Sequence, residues 1–326
     1  MSTFGTQFCE NFAIARYLDD QWQAAAIEPL RPLELHPASH VLHYASTCFE
    51  GFKAYRWPDG KAHVFRLPDH VARMQKSAES LRLPVPDTEL LSNMVLDLVT
   101  RHIDDVPEPP SSLYLRPTLI GTLPNIGAAA SPSTEALLFV LASPVGDYFA
   151  GGIRPLKLLV EDQRSRSTEQ LGSTKTGGNY AAALGPTLDA KAEFGVDQVL
   201  FCPQGDVQET GAANFMLISD DEIITKPLDT SFLHGMTRAS ILTLAADMGY
   251  RVNERNFTVA ELFSWIPKYE AALSGTAAAL TPVGTVVYEG SELPVRDGPN
   301  VERLRTALQS IQYGQAEDRH GWLTPV

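Results

Sequence analysis

The sequence predicts a mixed α/β fold in two lobes, and three observations carry that expectation. The chain has 326 residues, about twice what one domain usually takes. Helical and strand patterns are interleaved without a strict βαβ rhythm, which points to antiparallel or mixed sheets rather than a doubly wound parallel one. A Pro- and Gly-rich run, from Ser143-Pro144-Val145-Gly146 through Gly151-Gly152 to Pro155, interrupts the pattern near the middle. The expected organisation is a small N-terminal lobe at 1–145, a connection at 146–155 and a larger lobe at 156–326.

In the first lobe Phe12–Leu18 and His63–Leu67 read as strands. Asp69–Leu81 places Val71, Met74, Ala78 and Leu81 on one face of a helix, with Asp69 as N-cap after Pro68. Thr88–Ile103 repeats the pattern through Leu91, Val95, Leu98 and Val99. Ser112–Leu119 and Ala136–Ser143 are further strands, and the second, apolar almost throughout, is expected to be covered on both faces. In the second lobe strands are expected near Lys157–Glu161, Asp197–Cys202, Ala213–Ser219 and Glu222–Thr225. A helix over Met236–Met248 is closed by Gly249, and another covers Asn300–Ile311. The uncharged stretch Ala271–Tyr288 contains Ser, Gly, Thr and Pro and reads as strand and loop.

Composition narrows the function classes. Acidic residues outnumber basic ones 39 to 26, a net charge of −13, and no block of like charge forms, which argues against a nucleic-acid or anionic-membrane partner. The longest unbroken apolar run, Ala136–Ala142, is far short of a membrane span. Met1–Asn11 has neither a basic nor an apolar segment, so no secretory signal is expected there. Cys9, Cys48 and Cys202 are widely spaced and fit no metal or disulfide pattern, so they are expected as buried thiols in a reducing, cytoplasmic setting. His36, His40 and His43 have spacings that a metal could use on a helix. Pro37 interrupts them, no acid accompanies them and the flanks alternate like a strand, so no metal is expected.

Four blocks carry chemistry. Gly172-Ser173-Thr174-Lys175-Thr176-Gly177-Gly178 lacks the Gly before Lys that a nucleotide P-loop needs. It runs into Asn179-Tyr180 and the apolar Ala181–Leu184, which puts Lys175 at the mouth of a packed element, where an amine can attack a carbonyl. Glu209, in Val207-Gln208-Glu209-Thr210-Gly211-Ala212-Ala213-Asn214, either points into a cleft or caps an exposed turn. Leu233-His234-Gly235-Met236-Thr237-Arg238 opens a helix whose free N–H groups suit an anion, and Ser274-Gly275-Thr276-Ala277 offers a hydroxyl and backbone N–H groups. Arg66 ends a strand where a phosphate could meet it. One Lys, one Glu and several anion cradles suggest a phosphorylated cofactor held through the amine.

These residues resemble the branched-chain amino acid aminotransferases, pyridoxal-phosphate enzymes of fold type IV. The resemblance runs nearly end to end and is strongest at His43-Tyr44, Phe49-Glu50-Gly51-Phe52-Lys53-Ala54, Ser112-Leu113-Tyr114-Leu115-Arg116-Pro117, Pro144 to Phe149, Lys175 to Tyr180 and Glu209 to Asn214. It implies pyridoxal 5'-phosphate as cofactor and Lys175 as the Schiff-base lysine that also moves the Cα proton. Glu209 is implied on the ring nitrogen, Tyr180 on the ring hydroxyl, and Arg66, Met236, Thr237 and Thr276 on the phosphate. On the substrate side it implies an apolar slot of Tyr44, Phe49, Tyr148 and Tyr180. Tyr114 with Thr276 and Ala277 would hold the α-carboxylate, and Arg116 the second carboxylate of glutamate or 2-oxoglutarate.

The implied reaction is ping-pong: L-leucine, L-isoleucine or L-valine leaves as a 2-oxo acid, and 2-oxoglutarate collects the amino group as glutamate. A homodimer or a multiple of dimers is also implied. Ala278 and Thr281 stand where some members carry a redox C-x-x-C, so no thiol switch of that kind is expected, and Ala212 replaces the Thr of some relatives. D-amino acid aminotransferases and aminodeoxychorismate lyases share the Lys and Glu but are not expected to combine Tyr114-x-Arg116 with the Phe49-Glu50-Gly51 block. A protein that only bound the cofactor would not need both the Lys and the electron-sink carboxylate.

Overall fold

The computed structural model describes residues 4–127, 129–148 and 151–326. They form two compact units. The first comprises the described part of 1–150 together with 174–177 and 311–326; the second comprises 151–173 and 178–310. The expected second lobe ran unbroken to the C-terminus, whereas the chain's end and the Lys175 segment belong with the first unit. The physical reason is backbone pairing. Leu323–Pro325 adds an edge strand against residues 63–65, and Thr176 forms a bridge with Cys48.

In the first unit β1 (Asn11–Leu18), β2 (Gln21–Trp22), β3 (Ala26–Pro29), β4 (Thr47–Phe49), β5 (Phe52–Arg56), β6 (Ala62–Phe65), β7 (Ser112–Gly121) and β8 (Ala136–Val145) make one antiparallel sheet with that edge strand. β7 and β8 pair over ten residues each at its centre. Leu138, Val140 and Ala142 of β8 enter a core with Val71, Met74, Leu91, Val95 and Leu98, while Leu137 packs with Phe12, Ile14 and Ile120 on the other face. The all-apolar strand is therefore covered on both sides, as its composition requires.

Three helices complete this unit: α1 (His40–Tyr44), α2 (Leu67–Ser80) and α3 (Thr88–Arg101). α1 corrects the strand expected around the histidines. His40 is buried between Ser46 Oγ (2.9 Å) and the Ser131 carbonyl (3.2 Å), and His43 meets the Pro37 carbonyl, so both rings serve local structure. The N-cap of α2 is Arg66 rather than Asp69, in the left-handed conformation at φ 55°. Pro68 occupies the first turn, where its missing N–H costs nothing, and Asp69 lies there against the helix dipole. α3 stops at Arg101, and Ile103–Asp105 tightens into a 3-10 turn.

In the second unit six strands close a ring: β9 (Leu156–Glu161), β10 (Gln198–Phe201), β11 (Glu209–Thr210), β12 (Asn214–Ile218) and, further along the chain, β15 (Glu270–Gly275) and β16 (Ala279–Tyr288). β13 (Glu222–Thr225) and β14 (Arg251–Glu254) extend it from β12. β15 joins β12 to β16, which carries β17 (Ser291–Pro294). The short β11 pairs with both β10 and β12 and so completes the ring. The pairings are mixed, parallel at β9–β10, β9–β16 and β13–β14.

Around these strands run α4 (Gly177–Phe194), α5 (Met236–Asp247), α6 (Val259–Trp265) and α7 (Asn300–Gln312). The sequence reading missed α4, because Gly177, Gly178, Gly185 and Pro186 are poor helix formers and Asn179, Ala183 and Ala190 are its buried residues. It also missed α6, which the capping box Thr258-x-x-Glu261 announces. All three cysteines are free and buried, and burial pushes the Cys9 and Cys48 thiols up to about 12. Among the described residues no helix is long and apolar enough to cross a membrane.

Candidate active site

The first unit assembles an amine, a guanidinium and an aromatic wall. Lys175 is strapped down by its own backbone: its carbonyl accepts from Phe49 N (3.0 Å) and its N–H donates to Ser77 Oγ (3.1 Å). Thr176 Oγ1 donates to the Thr47 carbonyl, so the lysine segment lies along β4. Lys175 Nζ sits 4.9 Å from the Phe49 ring centroid and the Arg116 guanidinium 4.6 Å from the same ring. Arg116 also donates to the Tyr114 hydroxyl at 2.7 Å, while its buried Nε has no protein partner.

Gly51 makes room for this arrangement. A Cβ there would lie 2.0 Å from Tyr114 Oη. Tyr44 stands on α1 with its hydroxyl on the Ile126 carbonyl. Tyr148 is 55% exposed and lines a cavity of about 470 Å³ with Phe4, Gln7, Pro144 and Asp147. Phe149, which closes the same sequence block, lies outside the described residues, as do Met1–Thr3 at the start of the N-terminal segment.

Behind Phe49 lies a network that sequence reasoning left without a role. Glu50 is fully buried and takes His70 Nδ1, Arg73 Nε and Arg73 Nη2, each at 2.7 Å. Burial alone would raise the Glu50 carboxyl, but the Arg73 guanidinium and His70 outweigh it and hold the group well below the usual carboxylate range. Burial pushes His70 down against the upward pull of Glu50, and the Arg73 and Lys175 charges add to the fall. His70 and Ser77 both lie on α2, the helix that Arg66 caps. Arg66 itself pairs with Asp69 through Nε (2.7 Å), with Trp322 5.4 Å from its guanidinium.

The second unit assembles a carboxylate and an anion cradle. Glu209 opens β11 and is 2% exposed, so of its two readings the exposed turn is excluded. Its Oε1 accepts from Leu233 N (3.0 Å) and lies 2.7 Å from Arg166 Nε; its Oε2 accepts from Asn214 Nδ2 (2.9 Å). Strand register sets Glu209 opposite Asn214 and Asn214 opposite Ser274, giving one row across β11, β12 and β15. Ser274 Oγ is buried with no protein partner, and Thr276 and Ala277 form the turn that follows β15.

Asn214 also donates to the Leu233 carbonyl, and a Cβ at Gly235 would lie 2.0 Å from its Oδ1. Through Asn214 and Gly235 the start of α5, with the N–H groups of Met236 and Thr237 in its first turn, is tied to Glu209. Gly235, the N-cap, has no side chain to satisfy those donors, and the row ends on an orphaned hydroxyl. An anion at the helix start and a protonated ring nitrogen at Glu209 are what this row can hold, which fits pyridoxal phosphate. Tyr180 is half-buried in the first turn of α4, where Asn179 Nδ2 donates to the Leu171 carbonyl and so holds the loop that leads to Lys175. Sequence reasoning missed Arg166, an arginine in an irregular loop that nothing local distinguishes.

No metal was expected from the sequence. Among the described residues Cys9, His102 and Asp105 bring potential ligand atoms within 4.8 Å of one another, and the His102–Asp105 hydrogen bond of 2.7 Å joins two of them just beyond α3.

The chain is similar to known proteins over nearly its whole length. Residues 47–286 match the family model described as Amino-transferase class IV. The chain is 37% identical, over 98% of its length and 91% of the relative's, to a probable branched-chain-amino-acid aminotransferase of Streptomyces coelicolor. It is 37% identical, over 96% of its length and 87% of the relative's, to a branched-chain-amino-acid aminotransferase of Dictyostelium discoideum. Among solved structures it is similar to a T.th. branched-chain amino acid aminotransferase with pyridoxamine 5'-phosphate. That match has a TM-score of 0.82 and 27% identity, and covers 98% of this chain and 99% of that one.

Proposed function

The chain belongs to the class IV aminotransferases, and from that premise we propose that it transfers the amino group of L-leucine, L-isoleucine or L-valine to 2-oxoglutarate. Its cofactor is pyridoxal 5'-phosphate, which when bound withdraws electrons from the substrate's Cα so that the proton there can be removed. The observation that carries the substrate class is the Phe49 ring, flanked by Lys175 Nζ and the Arg116 guanidinium. An apolar wall with one reachable guanidinium accepts a branched aliphatic side chain in one half-reaction and a second carboxylate in the other.

Lys175 attaches the cofactor and carries the proton at Cα, and its anchored backbone limits the volume that the amine explores. Tyr114 orients the α-carboxylate with Thr276 and Ala277, and Arg116 takes the distal carboxylate. Tyr44, Phe49, Tyr148 and Tyr180 shape the apolar slot. Glu209 holds the ring nitrogen's proton, Tyr180 bonds the ring hydroxyl, and Arg66, Met236, Thr237 and Thr276 hold the phosphate.

The working unit is a homodimer or a multiple of dimers. Leu184 and Leu188 support this: one turn apart on α4 and both more than half exposed, they are the apolar surface a partner copy would cover. The acidic composition and the buried free thiols support a cytoplasmic protein acting on small molecules, with no nucleic-acid or membrane partner.

The test is the absorption spectrum of the purified protein before and after L-leucine, with no oxo acid present. A visible band that gives way to the near-ultraviolet band of the aminated cofactor supports the reading, and Lys175→Ala must abolish the visible band. A band that ignores L-leucine but responds to D-alanine keeps the family and discards the substrate. No band after pyridoxal phosphate is supplied discards the enzyme.

A further inference from the structure

Arg166 lies in the irregular segment between β9 and Lys175, 3% exposed at its side chain, and its guanidinium forms a close ion pair with one carboxylate and donates to two backbone carbonyls. Nε is 2.7 Å from Glu209 Oε1, Nη2 donates to the Gly172 carbonyl at 3.0 Å, and Nη1 donates to the Gly211 carbonyl at 3.5 Å. One rigid fork thus joins the carboxylate, the turn beside it, and the loop three residues ahead of Lys175. That loop has little freedom of its own, because a Cβ at Gly172 would lie 2.2 Å from the Ser231 backbone.

A carboxylate with 2% exposure is costly to keep ionised without a compensating charge. The two amide donors on Glu209, Leu233 N and Asn214 Nδ2, are neutral and supply none. From this we infer that Arg166 is the positioning residue of Glu209. It places a fixed charge against a carboxylate that Leu233 N and Asn214 Nδ2 orient, so that the cofactor's ring nitrogen meets an acceptor already ionised. A lysine would keep the charge but lose the fork that reaches Gly172 and Gly211. The inference rests on the reading that Glu209 takes the ring nitrogen.

The test measures how strongly the protein prefers that nitrogen. Full-length protein is stripped of cofactor and titrated with pyridoxal 5'-phosphate and with its 1-deaza analogue, in which a C–H replaces the ring nitrogen. The ratio of the two Kd values isolates the nitrogen from the phosphate and the aldehyde. The wild type is expected to prefer pyridoxal phosphate by about tenfold or more, the size of one charge-assisted hydrogen bond. Arg166→Met is expected to bring the ratio within about twofold of one while the analogue's own Kd moves less than about threefold, and Arg166→Lys to recover part of the preference.

A ratio unchanged in Arg166→Met overturns the inference. So does equal weakening of both ligands with the preference intact, since that is what a purely structural clamp would do. If Arg166→Met does not fold, the Arg166→Lys ratio decides alone: a full wild-type preference refutes the role assigned to the fork. Glu209→Gln run in parallel separates the premise. If the preference survives that change, it is the reading of Glu209 that fails.

Discussion

Gly51→Ala is the sharpest single test of the arrangement around Tyr114 and Arg116. The added methyl would lie 2.0 Å from Tyr114 Oη and 2.9 Å from Cζ, against ordinary contact beyond 3.4 Å, so the phenol must move by more than about an ångström. Tyr114 is 9% exposed and packed edge-on against Phe4 at 5.0 Å, so it has little room to retreat. The movement breaks the 2.7 Å bond from Arg116, whose buried Nε already lacks a protein partner. A hydrogen bond to a charged group contributes about 1.5–3 kcal/mol, which corresponds to roughly 10–100-fold in kcat/KM.

If Arg116 takes the distal carboxylate, as proposed, the loss should be larger with 2-oxoglutarate than with leucine. The assay is steady-state kcat/KM for each substrate, with Tm as a check on folding. Tyr114→Phe removes the atom at 2.0 Å but leaves Cζ at 2.9 Å, so adding Gly51→Ala to it should cost clearly less than Gly51→Ala costs the wild type, and the double-mutant cycle must show coupling. A Gly51→Ala enzyme within about twofold of wild type for 2-oxoglutarate, or effects that simply add in the double variant, would refute the reasoning.

Four further outcomes follow from the same geometry. Glu209→Gln should lower kcat about 10²–10³-fold by removing a preorganised charge, and should destabilise the protein by about 3–5 kcal/mol in urea titration because Arg166 is left as a buried, unpaired charge; unchanged kcat removes Glu209 from the chemistry. Gly235→Ala should push Asn214 away from Glu209 and Leu233 and weaken pyridoxal phosphate binding about tenfold by titration, and an unchanged Kd would show that the Asn214 contact is dispensable. Burial pushes the Lys53 ammonium down to about 8 from 10.5, partly offset by Asp147. Between those values the unfolded chain binds the extra proton, so stability rises with pH there, and Lys53→Met should abolish that rise in Tm. The same sign holds in acid: Glu50 is held below 4.5 and His70 below 6.5, so both groups bind fewer protons folded than unfolded. Their contributions are present at neutral pH and lost as pH falls below those ordinary values, and a urea midpoint that stays flat from about pH 7 to pH 4 would contradict the network.

How much was legible beforehand follows from where each signal resides. Phase and charge along the chain were enough for α2 and α3, for the two-sided burial of β8 and for the start of α5, because local periodicity and capping chemistry act over a few residues. Lys175 and Glu209 were distinguishable because an amine among glycines and an acid before small residues are uncommon settings. The α1 turn at His40 and the 18-residue α4 were not: Pro37 and the alternating flanks favoured a strand at the first, and glycines with a central proline hid the second.

Residue type and spacing alone establish the mixed α/β class, the amine, the carboxylate and the order of blocks that marks the family, because each of these is a property of the linear chain. What holds each group in place emerges only on folding. The ring closed by β11, the Glu50–His70–Arg73 network and the pairing of Arg166 with Glu209 all bring together segments that are separate along the chain. Their energies come from desolvation and from the meeting of those segments, and neither quantity has a value until the chain is folded.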